Sequence, residues 1–179
     1  NRSVLMVYGR DNEAGSWNDE EQAKVILADG TKKTVKVVAN GDNRDDVNWA
    51  NLQVGALYYY QINNDGEYAF YNPTPNNTGY DDVTLWTSGV NDDRVNKISI
   101  ADEAVVFALI EDGKDADGNP VYDADVYTGD TVKDAANGVN WGAIDRGVYM
   151  TESENGFNYV RMFNIQISDG LKTATDYGY

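Results

Sequence analysis

The chain has 179 residues, with 30 acidic against 14 basic side chains, a formal charge of −16, no histidine and no cysteine. The two absences exclude a Ser-His-Asp triad, a cysteine nucleophile, a disulfide and a zinc site built from Cys and His. The negative field disfavours nucleic-acid phosphates and anionic membrane surfaces as partners. A hydrophobic content of 41%, with 12% aromatic residues, predicts a folded chain.

Turn residues at short intervals predict an all-β chain. Residues 4–8 form the first predicted strand. Residues 22–28 and 34–38 flank Asp29-Gly30, a pair typical of a tight hairpin turn, so they are predicted to form a strand each.

A helix is the alternative for the second of these strands. Asn18 followed by Glu21 fits a capping box, which would open a helix running through Ala28. The β-branched residues Val25-Ile26 and the hairpin turn that follows favour the strand.

A second hairpin is predicted from residues 57–62 and 67–71, which flank Asn64-Asp65-Gly66. Residues 72–79 contain two of the three prolines and are predicted to form a linker or a long crossing loop.

The second half of the sequence repeats this pattern of short apolar segments and turns. Residues 104–110 are almost continuously apolar, which fits a strand buried on both faces or a short helix. Turns are predicted at residues 117–119 and at Asn155-Gly156, and the tail, residues 169–179, is predicted to be extended or frayed. The other predicted strands are residues 83–87, 97–100, 121–127, 147–151 and 157–167.

An internal repeat indicates a duplicated β-module. Residues 47–58 align with residues 139–150 at an offset of 141 − 49 = 92, with the same Val, Asn, Trp and Gly. Shorter matches upstream pair residues 37–42 with 125–130 and residues 4–7 with 105–108.

The predicted architecture is therefore two related small antiparallel β-modules, barrel- or sandwich-like, with about five short strands each. Residues 1–75 form module 1 and residues 76–96 a linker or crossing segment. Residues 97–179 form module 2, a repeat of module 1 with a polar tail. The alternative is a single compact unit in which both modules share one core.

Aromatic residues are the candidates for ligand binding, because indole and phenol rings stack on sugars while amides bind hydroxyls. Trp49 and Trp141 occupy equivalent positions in the repeat, which favours a role as core plugs. Trp17 and Trp86 have no repeat partner, and Tyr59 faces away from Tyr58 and Tyr60, so Trp17, Trp86 and Tyr59 are the candidate ligand-binding residues.

Calcium is the one cofactor for which the sequence contains candidate ligands, namely Asp115, Asp117 and Asp123. An EF-hand loop with a glycine at its sixth position fails, because Gly113 and Ala124 occupy the positions that need acids. The choice is between an irregular calcium site and a solvated hairpin tip, and the hairpin tip is favoured.

Five short segments form a recognisable series: residues 28–35, 54–60, 65–68, 102–107 and 124–129, which read ADGTKKTV, VGALYYY, DGEY, DEAVVF and ADVYTG. They resemble the repetitive β-rich regions of S-layer-type cell-surface proteins of Gram-positive gut bacteria, which often carry S-layer homology domains. The anchoring motifs of those domains do not occur in the sequence. The resemblance implies a β-module of an exported protein at the extracellular cell surface, and it brings no catalytic residue.

The expected function is non-enzymatic: a structural or display segment of an S-layer or adhesin-like protein. Its partners would be other domains of the same protein or neighbouring surface proteins. No membrane insertion is expected, since no uninterrupted apolar segment of the sequence approaches about 18 residues. A glycan- or host-protein-binding module is the alternative. A glycoside-directed enzyme comes third, because no spacing singles out a pair of carboxylates for it.

Overall fold

The fold comes from a computed structural model, which describes residues 3–12, 21–38, 46–85, 90–91, 94–133 and 147–167. It confirms the all-β prediction, with two sheets and short helical turns. The strands are β1 Val4–Asn12, β2 Glu21–Leu27, β3 Lys32–Lys36, β4 Leu57–Ile62, β5 Tyr68–Tyr71, β6 Asp82–Leu85, β7 Val90–Asn91, β8 Arg94–Val95, β9 Ile98–Lys114, β10 Pro120–Thr128, β11 Val148–Glu154 and β12 Phe157–Ile167. The helical segments are α1 Pro75–Thr78, α2 Gly129–Lys133 and a 3-10 turn, Trp49–Asn51. Among the described residues, no helix has the length and apolar character needed to cross a membrane.

The first sheet is a five-stranded, partly open barrel. Its strands lie in the order β3-β2-β1-β4-β5, and the return of β4 to the side of β1 makes a Greek key. A parallel bridge between Val37 and Tyr68 joins the two ends of the sheet. The barrel encloses its own apolar core, formed by Leu5, Val7, Ala23, Val25, Val35, Val37, Leu52, Ala56, Tyr58, Tyr68 and Phe70.

The second sheet runs in the order β6-β11-β12-β9-β8-β7, and β10 also pairs with β9. Its pairing of β9 with β12 is parallel, which departs from the expected all-antiparallel arrangement. By the repeat, β9, β11 and β12 correspond to β1, β4 and β5, so β11 should lie beside β9. Instead β12 lies there, paired in parallel with β9, and its residues 162–165 are all buried.

Residues 76–96, for which the sequence predicts a linker or crossing segment, contain the end of α1 and three short strands. β6 pairs with β11, and β7 and β8 form a hairpin attached to β9 through β8. This segment therefore contributes to both ends of the second sheet.

The structure confirms the local predictions for two turns and two strands. The turns at Asp29-Gly30 and Asn155-Gly156 are present, with φ of 89° at Gly30 and 82° at Gly156, a backbone region that suits glycine. The helix alternative for residues 18–28 is wrong over its described part, since Glu21–Leu27 is a strand. Residues 104–110 lie within β9, where 106–109 are buried, so the strand interpretation is the one confirmed.

One apolar cluster contains residues of both sheets. The barrel contributes Val4, Met6, Ile26 and Leu57 from the face opposite its own core. The second sheet contributes the larger part, including Phe107, Leu109, Met150, Met162, Phe163 and Ile165.

Candidate functional site

The turn Trp49–Asn51 packs against one end of the barrel core. Trp49 is half-buried there, and its indole N–H donates a hydrogen bond to the backbone oxygen of Gln22 at 2.8 Å. The neighbouring Leu52 is 3% exposed. Trp49 therefore packs against the barrel core without being fully buried.

Arg10 on β1 holds this turn in place. Its Nη1 donates to the backbone oxygen of Ala50 at 2.7 Å and to that of Trp49 at 3.3 Å. The guanidinium carbon lies 5.1 Å from the centroid of the indole ring, within the range of a cation–π contact. Sequence reasoning missed Arg10, because a partner 39 residues away leaves no local signal.

Two cavities flank the turn, and Arg10 lines both. One has a volume of about 590 Å³ and is bordered by Asn48, Asn51, Gln53 and Asn72, among others. The other has about 630 Å³ and lies between β1, β2 and the tip of the β9–β10 hairpin.

The second cavity owes its position to a bulge in β1. The register of β1 against β2 shifts between Val7 and Gly9, which leaves Tyr8 as the extra residue. Gly9 permits a close approach of Lys24, since a Cβ at Gly9 would lie 3.1 Å from the Lys24 Cδ.

Of the three predicted ligand-binding residues, Tyr59 is the one that lies among the described residues. Tyr59 is half-buried on β4, with its ring centroid 5.8 Å from that of Tyr71, and its hydroxyl accepts a hydrogen bond from Gln61 Nε2 at 3.2 Å. It lines neither of the two cavities. Trp17, Trp86 and the second repeat tryptophan, Trp141, lie outside the described residues.

Two of the three aspartates predicted for calcium, Asp115 and Asp123, have other partners. Asp115 Oδ1 accepts the backbone N–H groups of Asp117 and Asn119, both at 2.9 Å, and so orders the hairpin tip. Asp123 pairs with Lys32 of the barrel, Oδ1 to Nζ at 3.0 Å. Within the described ranges, no three acidic side chains lie close enough together to hold a metal ion.

The Lys32–Asp123 ion pair links the two sheets. The hydrogen bond from Lys32 lowers the pKa of Asp123, and the same bond raises the pKa of Lys32. Both side chains are about half exposed, at 44% and 49%, so water screens their attraction.

No protein-family model, curated protein or solved structure matches this chain.

Proposed function

We propose that this chain is a non-enzymatic structural or display segment of a bacterial cell-surface protein of the S-layer or adhesin-like kind. The resemblance of its short β-rich segments to such proteins supports the extracellular setting. The shared core of the two sheets supports the structural role and is the observation that carries the proposal. A spacer has to keep its two ends at a fixed separation. Two sheets that share a core cannot move independently, so they would hold that separation.

A buried hydrogen-bond bridge adds to this coupling. Asn164 on β12 is 0% exposed, and its Nδ2 donates to the backbone oxygen of Gly55 at 2.7 Å. Its Oδ1 accepts the backbone N–H of Val148 at 2.7 Å. Because a buried polar group without a partner is costly, sliding of one sheet over the other would be opposed by the loss of these two hydrogen bonds.

The first and last described strands are placed well for transmitting tension. β1 lies between β2 and β4, and β12 lies between β9 and β11. A force applied at either strand therefore meets hydrogen bonds on both sides, and then the shared core, before the chain can extend.

Single-molecule force spectroscopy on tandem copies of the chain tests the mechanical part of the proposal. We expect one rupture event per copy, with a contour-length gain of roughly 550 Å for a chain of this length. Two separate events per copy, each with about half of that gain, would contradict a single mechanical unit. Antibodies against the chain should label intact cells of the organism that makes it, and labelling only after lysis would contradict the surface location.

A further inference from the structure

The two cavities beside Trp49 share Arg10 in their linings, and the pair is called here the amide groove. Their volumes, about 590 and 630 Å³, each fall within the range of small-molecule sites. The turn Trp49–Asn51 separates them, with Asn51 on one side and Trp49 on the other.

One side of the amide groove is lined by four side-chain carboxamides. Each offers two N–H donors and an acceptor oxygen, a set that matches neighbouring hydroxyl groups on a sugar ring. Over the parts of the chain that the structure describes, none of these carboxamides has a hydrogen-bond partner. They belong to Asn48, Asn51, Gln53 and Asn72.

The backbone that carries these amides is fixed. The Gln53 N–H donates to the Tyr58 hydroxyl at 2.9 Å, and Asn77 Nδ2 donates to the backbone oxygen of Asn72 at 3.0 Å. Arg10 holds the turn between them. A ligand therefore meets groups whose spacing is already set, which reduces the entropy lost on binding.

The other side of the groove is aromatic. Tyr8, Trp49 and Tyr122 line it, and each comes from a different segment: the β1 bulge, the 3-10 turn and β10. All three side chains are half-buried, so each is supported by the fold and still partly accessible. Rings held in this way present apolar surface to the C–H face of a sugar.

The charge of the groove favours a neutral ligand. Arg10 and Lys24 face Asp11, Asp46 and Asp115 across the two cavities, so the lining has no excess of positive charge. The net charge of −16 on the chain repels anionic polymers at longer range.

We propose that the amide groove binds a neutral oligosaccharide, with hydroxyl groups on the carboxamide side and a sugar ring on the aromatic side. This site differs from the aromatic residues that the sequence suggests, and it does not depend on the spacer role.

Isothermal titration calorimetry with four neutral hexasaccharides tests the proposal: the hexamers of glucose linked β-1,4, of xylose, of mannose and of N-acetylglucosamine. A galacturonic acid hexamer serves as the acidic comparison. We expect at least one neutral probe to bind, and more tightly than the acidic one.

The Asn51→Ala/Gln53→Ala double variant should weaken that binding at least about tenfold. Tyr122→Leu should weaken it as well, from the aromatic side. Asn158→Ala is the matched control, because Asn158 is an exposed amide on β12 away from the groove, and it should leave binding unchanged. Circular dichroism melting of each variant verifies that it folds.

Three results would overturn the proposal: no binding of any neutral probe at 10 mM, binding that is unchanged in the folded double variant, or a preference for the acidic hexamer.

Discussion

Asn164 on β12 donates a hydrogen bond from its Nδ2 to the backbone oxygen of Gly55 at 2.7 Å, although the two residues are 109 positions apart. Gly55 precedes the first strand of the barrel's second hairpin, whereas Asn164 lies in the middle of the other sheet. One fully buried amide therefore connects the two halves of the repeat.

Asn164→Ala should lower the free energy of unfolding by about 2–4 kcal/mol, because it leaves the Gly55 oxygen and the Val148 N–H without partners and opens a small cavity. Urea denaturation measures the change. Asn158→Ala, on the same strand and exposed, should stay within about 0.5 kcal/mol. Equal stability of the two variants would show that the hydrogen bonds of Asn164 do not stabilise the fold.

Gly129 at the start of α2 leaves no room for a side chain. A Cβ there would lie 1.9 Å from the backbone oxygen of Ala101, so Gly129→Ala forces the backbone of α2 or β9 to move. We expect a loss of about 1–3 kcal/mol in a thermal or urea melt.

The matched control for that variant is Gly118→Asn, at a turn position with open space and a φ of 82°. Asparagine accepts this backbone region, so the control should change stability by less than about 0.5 kcal/mol. A Gly129→Ala variant as stable as this control would mean that the contact with Ala101 relaxes freely.

The Lys32–Asp123 pair should give a coupling of about 0.2–1 kcal/mol in a double-mutant cycle at pH 7, as expected for half-exposed charges. The pKa of Asp123 is lowered in the folded state, so its contribution is present above the unfolded pKa and is lost as pH falls through the folded one. The pKa of Lys32 is raised, so its share is lost only as pH rises through the folded value, in the alkaline range.

Repeating the cycle at pH 2 and in 1 M salt completes this test, because acid removes the charge of Asp123 and salt screens the pair. A coupling that persists at pH 2 would show that packing, and not charge, joins the two side chains.

The melting temperature should stay the same within about 1 °C between 5 mM calcium and excess chelator. A calcium site in the folded chain would raise it by more, because a ligand that binds only the folded state stabilises that state. Asp115 accepts backbone N–H groups of the hairpin tip, and Asp123 pairs with Lys32 of the barrel. A rise of several degrees that disappears in Asp115→Asn but persists in Asp65→Asn, at another hairpin tip, would establish a calcium site.

Hairpins were predictable because their signals are local. Asn155-Gly156 has positive φ at both residues, at 53° and 82°, which these two residue types accept most readily. The alternation of Tyr68 and Phe70 with Ala69 and Tyr71 likewise shows in the burial pattern of β5.

The order of the strands in the second sheet could not be read from the repeat. β5 ends at Tyr71 after four residues, whereas the equivalent β12 continues to Ile167 and is buried over residues 162–165. β12 lies between β9 and β11 in its sheet. The turn motifs of the two copies are similar, so they carry no signal of this difference.

The candidate site was visible only in part. Trp49 stood out because the repeat contains a second tryptophan at the same position. Arg10 and Tyr122 reach the same groove through tertiary packing, so no pattern along the chain connects them with Trp49.

Native-state hydrogen exchange followed by mass spectrometry tests the central claim, that the two sheets form one cooperative unit. Amides in β1 and β4 of the barrel should exchange with the same limiting free energy of opening as amides in β9 and β12, because a shared core opens only on global unfolding. Two different limiting values, one for each sheet, would contradict it.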